Sequence, residues 1–196
     1  MFRFLLCAAL VLLSSVNYAQ MDSLPYAEIG PYPADYTPGS VVARMIDALG
    51  FRYYWATEGL RAEDLAHRPT PDARSAYETI EHIYGLSEMI VNAPRGDTMV
   101  RPEDWSALTF PELRARTLHR LREASRQFAG IDEAALGDLK VMFSYGGNYS
   151  EYPLWNLVNG PVADAIYHTG QLITLRRVSG NPSDPRVNVF TGKLRE

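Results

Sequence analysis

Apolar residues recur at three- and four-residue spacing in four stretches of the chain, and each stretch predicts an amphipathic helix. In the first, Val41, Val42, Met45, Ile46, Leu49 and Tyr53 predict a helix from near Ser40 to near Gly59. A short turn, AEDL at 62–65, follows before His67, Arg68 and Pro69. The second stretch carries Ala76, Ile80, Ile83, Tyr84, Met89 and Ile90 and should run to about Val91, ahead of Pro94, Arg95 and Gly96. Ser75 and Glu78 form an S-x-x-E capping box at its start. Thr109 and Glu112 repeat that device for the third helix, with Pro111 in the first turn, where a missing N–H costs nothing. Its core stripe is Phe110, Leu113, Leu118, Leu121, Ala124 and Phe128, and Gly130 is a fitting C-terminal cap. The fourth helix starts near Pro153, is interrupted at Gly160 and Pro161, and continues to about Ser179. Pro161 would forfeit a bond to the Leu157 carbonyl and clash there, so a kink or a restart is expected, with Pro161 in the first turn of the main segment. Arg176 and Arg177 suit the negative end of the helix dipole, and Gly180 and Pro182 stop the helix.

No segment shows a convincing strand alternation. The expected fold is therefore all-α: an up-and-down four-helix bundle over 40–182, with long crossovers at 92–109 and 130–153. Residues 21–39, with Pro25, Pro31, Pro33 and Pro38, read as an extended N-terminal arm lying on the surface, and 183–196 as a C-terminal tail. Residues 1–20 read as a signal peptide. Arg3 precedes an apolar run at 4–13 that is too short to span a bilayer, and a small, polar region at 14–19 follows. Cleavage after Ala19 or Gln20 predicts an exported protein, periplasmic or extracellular; an uncleaved anchor is the alternative. Cys7 is the sole cysteine, so a mature chain of about 175 residues has no disulfide or thiol chemistry and folds as one domain. Losing Arg3 and no acid moves the net charge from −4 to −5, and an acidic chain without a basic patch argues against nucleic acid. No other segment is apolar enough to cross a membrane.

The candidate chemistry lies on two of the helices. Asp164 and His168 are four residues apart and share one helical face. Both are ligands for a divalent metal, and His82 from the second helix would complete a three-ligand set with open positions. An open position is what separates a catalytic site from a structural one. A hydrogen-bonded core histidine is the competing account of each imidazole. An inward Asp164 needs a cation or donors, which Arg or Lys could supply instead of a metal. Gln171 lies near the Asp164–His168 face and is a candidate to hold a ligand or an outer water, whereas Tyr167 is rotated off that face. Glu78 and Glu81 are candidate bases by proximity to His82, with the capping role of Glu78 competing. His119, amid Arg116, Arg122 and Arg126, reads as solvated, and His67 as a loop residue. The aromatic segment FSYGGNYSEYPLW at 143–155 reads either as a crossover loop or as a wall of a substrate pocket.

The second-helix run RPTPDARSAYETIEHIYGLSEMI (68–90) and the fourth-helix run ADAIYHTGQLITLRRVSGNP (163–182) resemble the DinB/YfiT-like family of metal-dependent enzymes. The resemblance extends over about residues 40–182, with the crossovers aligning poorly. Members are four-helix bundles with one His on helix two and an H-x3-H pair on helix four, followed closely by Gly-Gln. His82 matches the first position and His168 the last, with Gly170 and Gln171 in register. Asp164 stands where the family has its middle His, a departure that either keeps the site as two His and one carboxylate or marks a drifted one. The resemblance implies zinc foremost, with nickel or iron as alternatives. In some members it implies transfer or isomerisation with a low-molecular-weight thiol such as bacillithiol or mycothiol, but an exported location makes a cytosolic thiol less natural.

These features predict an exported metal-dependent enzyme of hydrolase or transferase type with a small-molecule substrate. The metal on His82, Asp164 and His168 would lower the pKa of a bound water or thiol, or polarise a carbonyl. Two alternatives stay open: a non-catalytic bundle that binds metal or a small ligand, and a structural protein whose histidines are core residues. A homodimer is compatible with such bundles, though no residue specifies one.

Overall fold

The structure is a computed structural model that describes residues 23–196. The expected signal peptide lies outside the described residues. The protein is mostly helical, with four long helices and small sheets. Helix α1 is Pro38–Thr57, the short α2 is Ala62–Ala66, α3 is Ala76–Arg95, α4 is Phe110–Ala129 and α5 is Glu133–Asp138. After the short α6, Trp155–Leu157, a π-type turn at Val158–Val162 leads into α7, Ala163–Val178.

The caps explain where the helices begin. Thr37 accepts from the Ser40 N–H at 3.1 Å while the Ser40 hydroxyl accepts from the Thr37 N–H at 3.0 Å, and Pro38 enters the first turn of α1. Ser75 and Glu78 make the expected reciprocal pair at α3, at 3.1 and 2.8 Å. At α4 the Glu112 carboxylate accepts from both the Thr109 N–H and the Thr109 hydroxyl. Helix α3 continues one turn past Val91, through Pro94, and ends at Gly96 with φ +70°, the left-handed conformation that glycine tolerates. Pro161 sits within the π-type turn. A wider turn relieves the clash that proline makes with the carbonyl four residues back, so the expected interruption takes the form of a bulge rather than a break.

Packing departs from a simple up-and-down order. Helix α1 packs against α4 and α7, and α3 packs against the same two. Consecutive long helices α1 and α3 therefore face each other across the core rather than lying side by side. The core between the four helices includes Ile46, Leu49 and Tyr53 of α1, Ile80 and Ile83 of α3, Leu118 and Leu121 of α4, and Leu172 of α7.

Strands replace the expected plain crossovers, which corrects the all-α expectation. Strand β1 (Thr98–Arg101) pairs in parallel with β2 (Lys140–Tyr145), and β2 pairs antiparallel with β3 (Asn148–Pro153). The β2–β3 turn is Gly146-Gly147, both with positive φ, as a two-residue hairpin turn demands. The sheet rests on α3 through β1 and β2, with Met99 and Val141 buried.

The N-terminal arm is pinned to the domain. Tyr26 is buried, donates its hydroxyl to Asp47 at 3.0 Å, and lies so close over Gly50 that a Cβ there would be 2.5 Å from the ring. Trp55 donates to the Ala27 carbonyl, and Ile29 donates its N–H to the Gly192 carbonyl of the tail. The tail itself forms a short hairpin of β4 (Val187–Asn188) and β5 (Lys193–Leu194). Among the described residues, no helix is long and apolar enough to cross a membrane.

Candidate metal centre

The α3–α7 seam brings His82, Asp164 and His168 together. On α7 the buried stripe is Ala165, Thr169, Leu172 and Leu175, and His168 flanks it. Asp164 lies one turn away on the same face, directly after the π-type turn. His82 adjoins buried Thr79 and Ile83 on α3. The ligand-capable atoms of the three side chains all lie within 4.8 Å of one another. Asp164 faces one imidazole with each oxygen: Oδ2 is 3.0 Å from His82 Nε2, and Oδ1 is 3.3 Å from His168 Nε2. The two rings meet edge to face, with centroids 4.6 Å apart. Side-chain exposure is 30% for His82, 41% for Asp164 and 12% for His168, so the cluster opens to solvent on the Asp164 side.

Hydrogen bonding decides which ring atom of His168 points inward. Its Nδ1 is 2.7 Å from Gln171 Oε1, an acceptor, so Nδ1 carries the proton. In the neutral ring the lone pair is then on Nε2, which faces an oxygen of Asp164. A bound cation, or a proton on Nε2, satisfies both atoms across the 3.3 Å that separates them. Burial holds the His82 imidazole below its ordinary pKa, against the pull of its hydrogen bond to Asp164, while the charge of nearby Arg74 acts with burial. Burial thus favours the neutral form of the His82 ring.

The remaining candidates separate clearly. Gln171 is where an outer partner of a ligand should be. Glu78 is committed elsewhere: Arg68 grips both its oxygens at 2.6 Å, and one of them also accepts from the Ser75 N–H. The Arg68 guanidinium and the cap hold its pKa down to about 2, which makes it a poor base. Burial, helped by the charge of Glu78, raises the Glu81 carboxyl above its ordinary value. Tyr167 packs edge-on against His168 and is largely exposed. His119 lies outside the cluster, 3.2 Å from Arg122. His67 caps α2, and its Nε2 is buried without a hydrogen-bond partner. A cleft of about 530 Å³ runs beside His168 and Gln171 but takes none of its lining from 143–155, so that segment is not its wall. Arg74 of the loop before α3 lines it instead, a residue that sequence reasoning passed over because a loop arginine ahead of a cap carries no directional signal.

No family model, curated protein or solved structure matches this chain. The case for the site therefore rests on its geometry. The three ligand atoms lie within 4.8 Å of one another, so a modest closure of the side chains would bring them to the spacing that metal bonds near about 2.1 Å require. Two imidazole nitrogens and a carboxylate suit a divalent cation of intermediate softness. The residues present thus fit a divalent metal.

One consequence concerns Gln171. Gln171→Ala frees the His168 ring and its tautomer, so zinc affinity should fall by about 10–100-fold while the ligand count is unchanged. Competition with a chromogenic chelator measures this, and an unaltered affinity would show that Gln171 does not orient the ligand.

Proposed function

We propose that the protein is a metal-dependent enzyme of hydrolase or transferase type, built on a DinB/YfiT-like four-helix bundle, with zinc on His82, Asp164 and His168. The observation that carries this is the convergence of His82, Asp164 and His168, whose ligand atoms lie within 4.8 Å of one another, with the outer nitrogen of His168 tied to Gln171. The matching of His82, His168, Gly170 and Gln171 to the family pattern supports the same reading. Zinc suits the two-imidazole, one-carboxylate set, with nickel or iron as the alternatives.

When bound, the cation supplies Lewis acidity to a substrate group that reaches it from the solvent-open side. The chain's own residues do the positioning. Gln171 holds the His168 Nδ1 at 2.7 Å, and His82 and Tyr167 pack edge-on against the imidazole ring. Of the two candidate carboxyls, Glu81, raised by burial, is the better proton acceptor, since Glu78 is held by Arg68. The substrate is a small molecule taken from the cleft beside His168. An exported setting follows if the leader at 1–20 is cleaved.

Two measurements test the proposal. Purified protein should carry close to one equivalent of zinc, nickel or iron by elemental analysis. It should also turn over members of a panel of esters, amides and thiol acceptors, and lose that activity on treatment with EDTA. Absence of stoichiometric metal after reconstitution overturns it. Full metal loading with no turnover would instead favour a metal-binding module, a reading that the engagement of Glu78 by Arg68 also supports.

A further inference from the structure

The cleft beside the cluster has its own chemistry. Its volume of about 530 Å³ is within the range of small-molecule sites. Pro69 and Ala73 line one side, Tyr167 and Leu175 the other, and His168 and Gln171 are shared with the cluster. Among the described residues that line it there is no carboxylate, and Arg74 is the one permanent cation. Arg68, six residues earlier, is consumed by Glu78 and by the Ala73 carbonyl. Arg74 has no such partner among the described residues. Arg74 is exposed at the edge of the cleft, where its guanidinium fork can meet a planar carboxylate with two parallel hydrogen bonds.

We infer that the cleft takes a small amphiphilic carboxylate, with its charged end on Arg74, its apolar body against Tyr167 and Leu175, and its reacting group directed past His168 to the cluster. The last of these contacts rests on the metal reading; the first two do not. A carboxylate is favoured over a phosphate ester because a single arginine among apolar walls compensates one charge and not two. Arg74 and His168 line the same cleft, so a ligand held on Arg74 lies beside the cluster. Arg74 is a substrate-positioning residue in this account.

The test uses 4-phenylbutyrate, its neutral amide and phenyl phosphate as probes in calorimetric titrations, with the protein stripped by EDTA and again loaded with zinc. The stripped protein should bind 4-phenylbutyrate at least about tenfold more tightly than the amide. Arg74→Ala should erase that ratio, Arg74→Lys should keep part of it, and neither should change the thermal midpoint. Equal binding of acid and amide, no measurable binding of the acid, or a ratio that survives Arg74→Ala overturns the inference. Tighter binding of phenyl phosphate than of the carboxylate overturns it as well. Failure of the metal reading shows separately, as absent zinc uptake in the unaltered protein with the Arg74-dependent ratio intact.

Discussion

His168→Ala should leave the protein folded and abolish the proposed metal binding. In the proposed set His168 supplies one of three ligands, so its loss leaves His82 and Asp164 as a hydrogen-bonded pair at 3.0 Å with nothing opposite. Loss of an outer partner alone costs about 10–100-fold in affinity, so loss of a ligand should cost at least about a hundredfold. Thermal melts in zinc give a direct readout. At a free zinc concentration one hundred times the dissociation constant, binding stabilises the unaltered protein by about 2.7 kcal/mol; a hundredfold weaker site leaves about 0.4 kcal/mol. For a chain of this size that is a zinc-dependent rise of roughly 5–10 °C in the one and about 1–2 °C in the other. In the absence of metal the variant should melt somewhat lower, because the His168 side chain is only 12% exposed and its removal leaves a gap in the seam. Asp164→His separates two accounts of the departure from the family pattern. Retained uptake means that the position is a ligand position in which carboxylate and imidazole interchange. A zinc-dependent rise that persists unchanged in His168→Ala removes the proposed ligand set.

The helices and the site residues were legible in the sequence because the signals are local. Apolar spacing and an S-x-x-E box are written within a few residues, and so is the four-residue offset of Asp164 and His168. The convergence of His82 on that pair was readable only through the resemblance, since nothing local links residues 82 apart. The sheet escaped notice for two reasons. Strand β1 has only four residues, too few for alternation to show, and its partner β2 is about forty positions away in sequence. The hairpin was within reach: Gly146-Gly147 between Tyr145 and Asn148 is a two-residue turn signal, but the exposed aromatics around it read as a loop. The order in which the helices pack was hidden because amphipathic stripes say which face is buried and not against which neighbour. Arg176 shows the same limit. Its position in the last turn of α7 suggested a dipole interaction with its own helix, whereas its side chain crosses to another.

Arg176→Met should be the most destabilising of the conservative-size substitutions outside the core. Arg176 is 4% exposed and donates to four backbone carbonyls: Trp55 at 3.0 Å, Ala56 at 3.1 Å, Glu58 at 3.0 Å and Asn181 at 2.7 Å. The first three are carbonyls at the C-terminal end of α1, which no helical N–H can satisfy, so one guanidinium caps α1 from α7. Asn181 links this cap to a second buried charge. Asp64 of α2 accepts from the Arg61 N–H, the Arg61 guanidinium, the Ser179 hydroxyl at 2.6 Å and the Asn181 amide at 2.6 Å. The ends of three helices are thus tied at one point. Methionine fills a similar length but offers no donor, and each buried carbonyl left unpaired costs about 1–3 kcal/mol before relaxation. A loss of about 3–5 kcal/mol is expected, or roughly 10–15 °C in the melting midpoint. The same knot should be acid-sensitive. The Arg61 guanidinium, with Ser179 and Asn181, holds the Asp64 carboxyl well below the usual carboxylate range despite its burial. A carboxyl whose pKa is depressed by folding stabilises the folded state above its unfolded value of about 4, and that contribution drains away as pH falls toward the folded value. Urea midpoints should therefore fall between about pH 4 and pH 2, and Asp64→Asn should be less stable at pH 7 but flatter across that window. Equal midpoints for Arg176→Met and the unaltered protein would show that water replaces the guanidinium at the end of α1 without cost.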